Sequence, residues 1–202
     1  MRFLKSTCVA ALLLSGCVSL LPDPKPSEAT YRLTQAKESV PQSSNAFVVR
    51  IDRPRVPRAF KTKDIIVSPD GRRLASASGA KWADIIPVMI QDSLVDLMGQ
   101  HSNIIGVIPS SGARADTRVH LTVKRFEAQF DQGEGTAPVA VVHYGVTLSN
   151  ASNRNLLGSY DVRKTIRANE VRVSEIVKAM DIANQQALED IILWLGQSRA
   201  RS

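Results

Sequence analysis

The stretch IIVSPDGRRLASAS, residues 65–78, decides the architecture. Phrases of this kind are common on the inner strands of β-propeller blades, but the physical content is smaller. Ile65, Ile66 and Val67 form a β-branched run suited to a strand. Ser68-Pro69-Asp70-Gly71 supplies turn chemistry: proline presets φ, aspartate bonds its own backbone and glycine accepts positive φ. Leu74, Ser76 and Ser78 then alternate with Ala75 and Ala77 on a return strand. A propeller needs the phrase again every ~40–50 residues, because one blade cannot bury its own faces. No second copy occurs, and the next segment has a helical period, which blades lack. The stretch reads as a single β-hairpin.

The helical segment runs from Lys81 to Gln100. Trp82, Ile85, Ile86, Met89, Ile90, Leu94, Leu97 and Met98 recur at steps of three and four, an amphipathic helix. Pro87 is tolerable if Asp84 is the N-cap, because first-turn N–H groups have no intrahelical partner. Gly99 suits the C-terminal stop.

Further on, Ile104 to Ile108 is a short strand. Between Thr117 and Asp131, Val119, Leu121 and Val123 share one parity, whereas Phe126, Ala128 and Phe130 take the other. A one-residue slip would turn half of the apolar set into water, so a β-bulge is expected near Lys124-Arg125. Ala140 to Leu148 is the next alternating strand, and Asn150 to Asn155 a turn. Leu156, Gly158, Tyr160, Val162 and Ile166 then share a face, with Lys164 an exception. Ser174 is a candidate cap for a closing helix with Glu175 in its first turn. Val177, Met180, Leu188, Ile191 and Leu195 form the buried stripe of that helix. Upstream of the hairpin lie Tyr31-Arg32-Leu33, a short strand candidate, a polar loop over 36–45, and the strand Phe47 to Ile51. Strands, helix, three-strand meander and helix together predict an α+β fold: a mostly antiparallel β-sheet with two amphipathic helices packed on one face.

The amino terminus indicates the compartment. Arg2 and Lys5 precede the apolar run Cys8–Leu14, which is too short for a bilayer span of about 20 residues. Small residues and Cys17 follow, the pattern of a secretory signal peptide. Leu14-Ser15-Gly16-Cys17 resembles the bacterial lipobox. That resemblance implies cleavage before Cys17, diacylglycerol on its thiol and a further acyl chain on the new amino terminus; an ordinary signal peptide with a chance cysteine is the plainer alternative. Several acyl chains anchor durably where a single one does not. The expected organisation is a signal peptide over 1–16, a lipidated cysteine and proline-rich tether over 17–29, and one domain over 30–202. Val18 and Ser19 follow the cysteine in place of the aspartate that tends to retain such lipoproteins at the inner membrane. The expected location is thus the cell envelope, facing the periplasm, with the outer membrane favoured over the inner.

Cys8 and Cys17 are the two cysteines of the chain, so the mature domain has no disulfide and no cysteine metal site. The chain carries 26 basic and 19 acidic residues, +7; without Arg2 and Lys5 the balance is 24 to 19, or +5. An exported basic protein meets headgroups, envelope polymers and acidic protein surfaces rather than nucleic acid. Arg50, Arg53, Arg55, Arg58, Lys61 and Lys63 cluster against Asp52 and Asp64. Two prolines, Pro54 and Pro57, forbid a helix there and remove ladder donors. Two readings of this segment stand: a docking surface for an anionic partner through Arg53, Arg55 and Arg58, or a rigid solvated loop.

No catalytic constellation is present. The sequence contains no G-x-S-x-G elbow, no phosphate loop and no H-E-x-x-H. His101, His120 and His143 lack a second ligand at metal spacing, and His120 and His143 fall on strands, where a structural role is favoured. The expectation is a non-enzyme with no cofactor and no metal.

Taken together, the lipobox Cys17, the Tyr31-Arg32-Leu33 strand, Phe47–Ile51 running into arginine and proline, Lys81-Trp82-Ala83 opening a helix with an early proline, Leu121-Thr122-Val123-Lys124-Arg125-Phe126-Glu127 and a closing amphipathic helix resemble one family. It is that of the ABC-type transport auxiliary lipoproteins (PqiC-like), partners of mammalian-cell-entry (MCE) lipid transport systems. The resemblance spans roughly residues 30 to 195, and it departs at the second hairpin strand, where a more tyrosine-rich sequence is expected. It implies a docking subunit that works with an MCE-domain protein and an inner-membrane ABC transporter or permease, held to the membrane by its lipid, with a homo-oligomer allowed. A lipoprotein that activates or assembles another envelope machine, for peptidoglycan synthesis or lipopolysaccharide export, is the alternative, because fold does not fix function.

Overall fold

The structure is a computed structural model that describes residues 28–34 and 38–199. Cys17, the signal segment and most of the expected tether lie outside the described residues. In chain order the elements are β1 (Ala29–Tyr31), β2 (Phe47–Ile51), β3 (Asp64–Ser68), β4 (Ala75–Trp82), α1 (Ile86–Met98), β5 (Ile104–Val107), β6 (Thr117–Gln129), β7 (Val139–Asn150), β8 (Leu156–Arg167) and α2 (Val173–Arg199). Single turns of 3-10 helix occupy Arg58–Phe60 and Pro109–Ser111.

All eight strands join one mixed sheet. The expected mostly antiparallel sheet is corrected here. Four of the seven strand pairs are parallel: β1–β4, β2–β5, β2–β6 and β3–β6. The antiparallel pairs are β3–β4, β6–β7 and β7–β8, and they include the longest ladders. The reason lies in β6. Its 13 residues give one edge to β7, and along the other edge it seats two short strands end to end. β2 pairs at Thr117–Val119 and β3 at Ala128–Gln129. Such parallel pairs form through long crossovers, which local alternation in a sequence does not reveal.

The parity switch in β6 resolves as expected. Val123 faces Tyr144 and Arg125 faces His143, so Lys124 is the extra residue of a bulge. Val119, Leu121, Val123, Phe126 and Ala128 are consequently all buried. The 65–78 hairpin also forms, with Gly71 at φ 77°. Its Asp70 carboxylate accepts from the N–H groups of Arg72 (3.0 Å) and Arg73 (2.8 Å). Those bonds, Arg73 first, pull the Asp70 pKa down to about 2.

Helix boundaries move. α1 starts at Ile86 rather than near Lys81, and Trp82 closes β4, where it meets Phe126 edge-on with ring centroids 6.0 Å apart. The N-cap is Ile85, not Asp84; Asp84 instead accepts a 2.7 Å bond from the Ile85 N–H. Pro87 still falls in the first turn, where its missing donor costs nothing. Gly99 keeps a right-handed φ of −60°, so its value is space: a Cβ there would sit 2.7 Å from Ser39 Oγ. α2 starts at Val173, which puts Ser174 inside the first turn instead of at the cap.

α2 lies against β6, β7 and β8, and α1 against β5 and α2. One continuous hydrophobic cluster joins them, including Val177, Met180, Leu188, Ile191 and Leu195 as the α2 stripe predicts. Two polar devices sit in this layer. The buried Tyr144 hydroxyl donates to Asn184 Oδ1 at 2.7 Å. Lys164, the odd residue on its face, pairs with Asp190 of α2 at 2.7 Å, so the lysine binds the helix that covers it.

Candidate functional site

Residues of the opposite parity on β6–β8 form a second face, open over most of its length but buried at Glu127 and Val141. Arg118, His120, Thr122, His143, Gly145, Asp161 and Arg163 are partly or fully exposed there. The bulge aims Lys124 across β7, where its ammonium pairs with Asp161. His143 Nε2 lies 2.6 Å from the other Asp161 oxygen. Gly145 leaves room for this crossing: a Cβ on it would lie 3.1 Å from Lys124 Cε, tighter than ordinary contact. Lys124 first, and His143 second, hold the Asp161 carboxyl below its usual range.

A second cluster centres on Asp52, just past the end of β2. Asp52 is 8% exposed. It accepts from Arg118 Nε at 2.5 Å, with His120 Nδ1 at 3.1 Å and Arg50 Nε at 3.7 Å. The in-register pair Arg50–Arg118 places the two guanidinium groups side by side, and Asp52 offsets their repulsion. Arg125 and buried Glu127 form a third pair on the same strand.

The Arg53–Arg58 segment is stitched rather than loose. The Arg55 N–H donates to Leu121 O at 2.9 Å, and the Val123 N–H donates to Arg55 O at 2.8 Å. This bridge pairs Arg55 with Thr122 and brings its side chain to the open face. Pro54 is buried beside it, and Pro57 leads into the 3-10 turn that carries Arg58. Arg53 approaches α1, where its charge opposes the raised pKa of Asp92, which burial chiefly causes and Asp96 and Asp84 reinforce. Arg53, Arg55 and Arg58 are exposed and have no ion-pair partner among the described residues. The sequence shows Asp52 only as a counter-charge within the basic cluster and gives no role to Asp161; their partners needed cross-strand register to be found, and the one available signal was a basic strand residue two positions away.

The acids of the open face are already paired with cations, and no group of three potential metal ligands occurs among the described residues. A depression of about 100 Å³ between Phe47, Ile104 and Leu193 is well below the ~300 Å³ or more of ligand pockets. No helix of the described residues is long and apolar enough to cross a membrane.

The site is thus a charged open face beside a stitched basic segment on an α+β domain. The family model described as "ABC-type transport auxiliary lipoprotein component" matches residues 31–192, and the chain belongs to that family. It is an auxiliary component of ABC-type transport, and it works alongside a transport system. No curated protein matches. Among solved structures, protein XCC0632 from Xanthomonas campestris is similar at 20% identity and TM-score 0.76, over 86% of this chain and 99% of that one. An uncharacterized protein aligns at 16% identity and TM-score 0.65, over 87% and 99%. The hypothetical protein CT253 from Chlamydia trachomatis aligns at 9% and TM-score 0.50, over 74% and 95%. At these identities the likeness is one of fold.

Proposed function

We infer that the protein is the lipid-anchored, non-catalytic docking subunit of an MCE-type, ABC-driven lipid transport system. The observation that carries this is the family match, which spans the folded domain from β1 into α2. Cys17 bears the acyl chains after removal of 1–16, and 17–29 tethers the domain to the membrane, the outer one being favoured. The folded part then meets the MCE-domain protein, whose inner-membrane transporter or permease completes the path. Arg53, Arg55 and Arg58 supply the electrostatic contact, because they have no ion pair to break on binding and the backbone at Arg55 is already pinned to β6.

Cys17→Ser tests the anchor: the protein is expected to leave the membrane fraction and lose incorporated fatty acid. The combined Arg53→Glu, Arg55→Glu, Arg58→Glu variant tests the contact. It is expected to fold and to lose co-purification with the MCE-domain protein; unchanged co-purification would remove these arginines from the interface.

A further inference from the structure

β8 ends the meander. β7 pairs along one side of its 12 residues, and no strand among the described residues pairs along the other. The other outer strands, β1 and β5, are three and four residues long. The Ala168 N–H donates to Pro138 O at 2.9 Å, and Ile166, Lys164 and Val162 face Ala140, Val142 and Tyr144. Even-numbered residues therefore turn their backbone toward β7. The N–H and C=O groups of Ser159, Asp161, Arg163, Thr165 and Arg167 point outward, and all five residues are exposed.

A long unpaired edge invites another strand, and proteins usually cover it or blunt it with bulges and charge. Here the register shift lies at the Leu148/Ser149 end, so the edge is regular from Gly158 onward. Its charge is one-sided. Asp161 is taken up by Lys124 and His143, Lys164 by Asp190, and Arg167 by Asp131. Arg163, at the centre, has no ion-pair partner among the described residues. Leu156 and Leu157 at the start of the strand are 67% and 42% exposed.

We propose that β8 is a strand-addition site for an extended acidic segment of a partner protein, with a carboxylate of that segment against Arg163 and apolar residues against Leu156 and Leu157. Main-chain bonds supply affinity in this mode, and alternate side chains supply selectivity. The inference deepens the docking reading and rests on it, but its test does not need the transport system. Full-length lipidated protein in detergent is titrated with a synthetic ten-residue peptide of alternating valine and glutamate, and with its valine–lysine counterpart, while amide hydrogen exchange is followed. The expected result is slower exchange at Ser159, Asp161, Arg163, Thr165 and Arg167 with the glutamate peptide and none with the lysine peptide. Arg163→Glu is expected to reverse the preference. Thr165→Pro removes an outward N–H without touching the β7 ladder, and is expected to weaken binding about tenfold, the scale of one or two hydrogen bonds. Exchange unchanged by the glutamate peptide would overturn the proposal. So would an edge already protected in the protein alone with the mass of a dimer, which would mean that a second copy occupies it. Absence of an MCE-domain partner would remove the docking reading and leave the peptide result to stand or fall separately.

Discussion

The two halves of the sheet are built differently. β6, β7 and β8 are long, consecutive and antiparallel, and α2 covers them. β1 to β5 are short, mostly parallel, and reach the rest through the free edge of β6. The first half stands on local contacts, which close small loops at low entropic cost. The second waits for β6 to exist before β2 and β3 have an edge to join. β6 is therefore the hub, and its bulge lets one strand serve both halves.

Deleting Lys124 should have the largest effect. Without the extra residue Phe126 and Ala128 would turn to the open face, and both halves should fail together, seen as loss of any cooperative urea transition. A stable, cooperative deletion variant would show that the bulge is incidental. Leu188→Ala in α2 and Leu94→Ala in α1, both fully buried, should each cost about 2–5 kcal/mol in urea unfolding. Their kinetics sharpen the contrast: the first should mainly slow folding and the second mainly speed unfolding, as expected if the local half forms the nucleus. Tyr144→Phe leaves Asn184, 1% exposed, without its hydroxyl donor and should cost about 1–3 kcal/mol.

Smaller effects come from acids. Asp70 and Asp161 both have depressed pKa values in the folded state. Their contribution is therefore present above the ordinary carboxylate pKa of about 3.9 and is lost as pH falls through the folded value. For Asp70 that window runs from about 4 down to about 2, and carboxyl NMR titration of the hairpin should place its midpoint near the lower end. Asp92 has the opposite sign: its raised pKa opposes folding once it ionises, so Asp92→Asn should raise Tm slightly at pH 7 and leave it unchanged at pH 3.

What sequence reveals follows the same division. The meander, its bulge, the Asp70 turn and the α2 stripe were readable because each is written in neighbouring residues. The parallel seats of β2 and β3 on β6 were not, since nothing in Val67 or Val49 names Ala128 or Thr117 as its neighbour. Trp82 satisfies the helical period because an apolar residue at a strand end fits a three-four spacing equally well. The Arg53–Arg58 segment was readable as rigid and basic, but its bond to Leu121 needed the third dimension. The pairing of Asp52 with Arg118 and of Asp161 with Lys124 was hidden for the same reason: 66 and 37 residues separate the partners.

The proposed service to an MCE-type transport system is open to mild cross-linking in the native envelope followed by mass spectrometry. Cross-links to an MCE-domain protein are expected, with its permease in the same complex. A penicillin-binding protein or a lipopolysaccharide-export component in their place would contradict it.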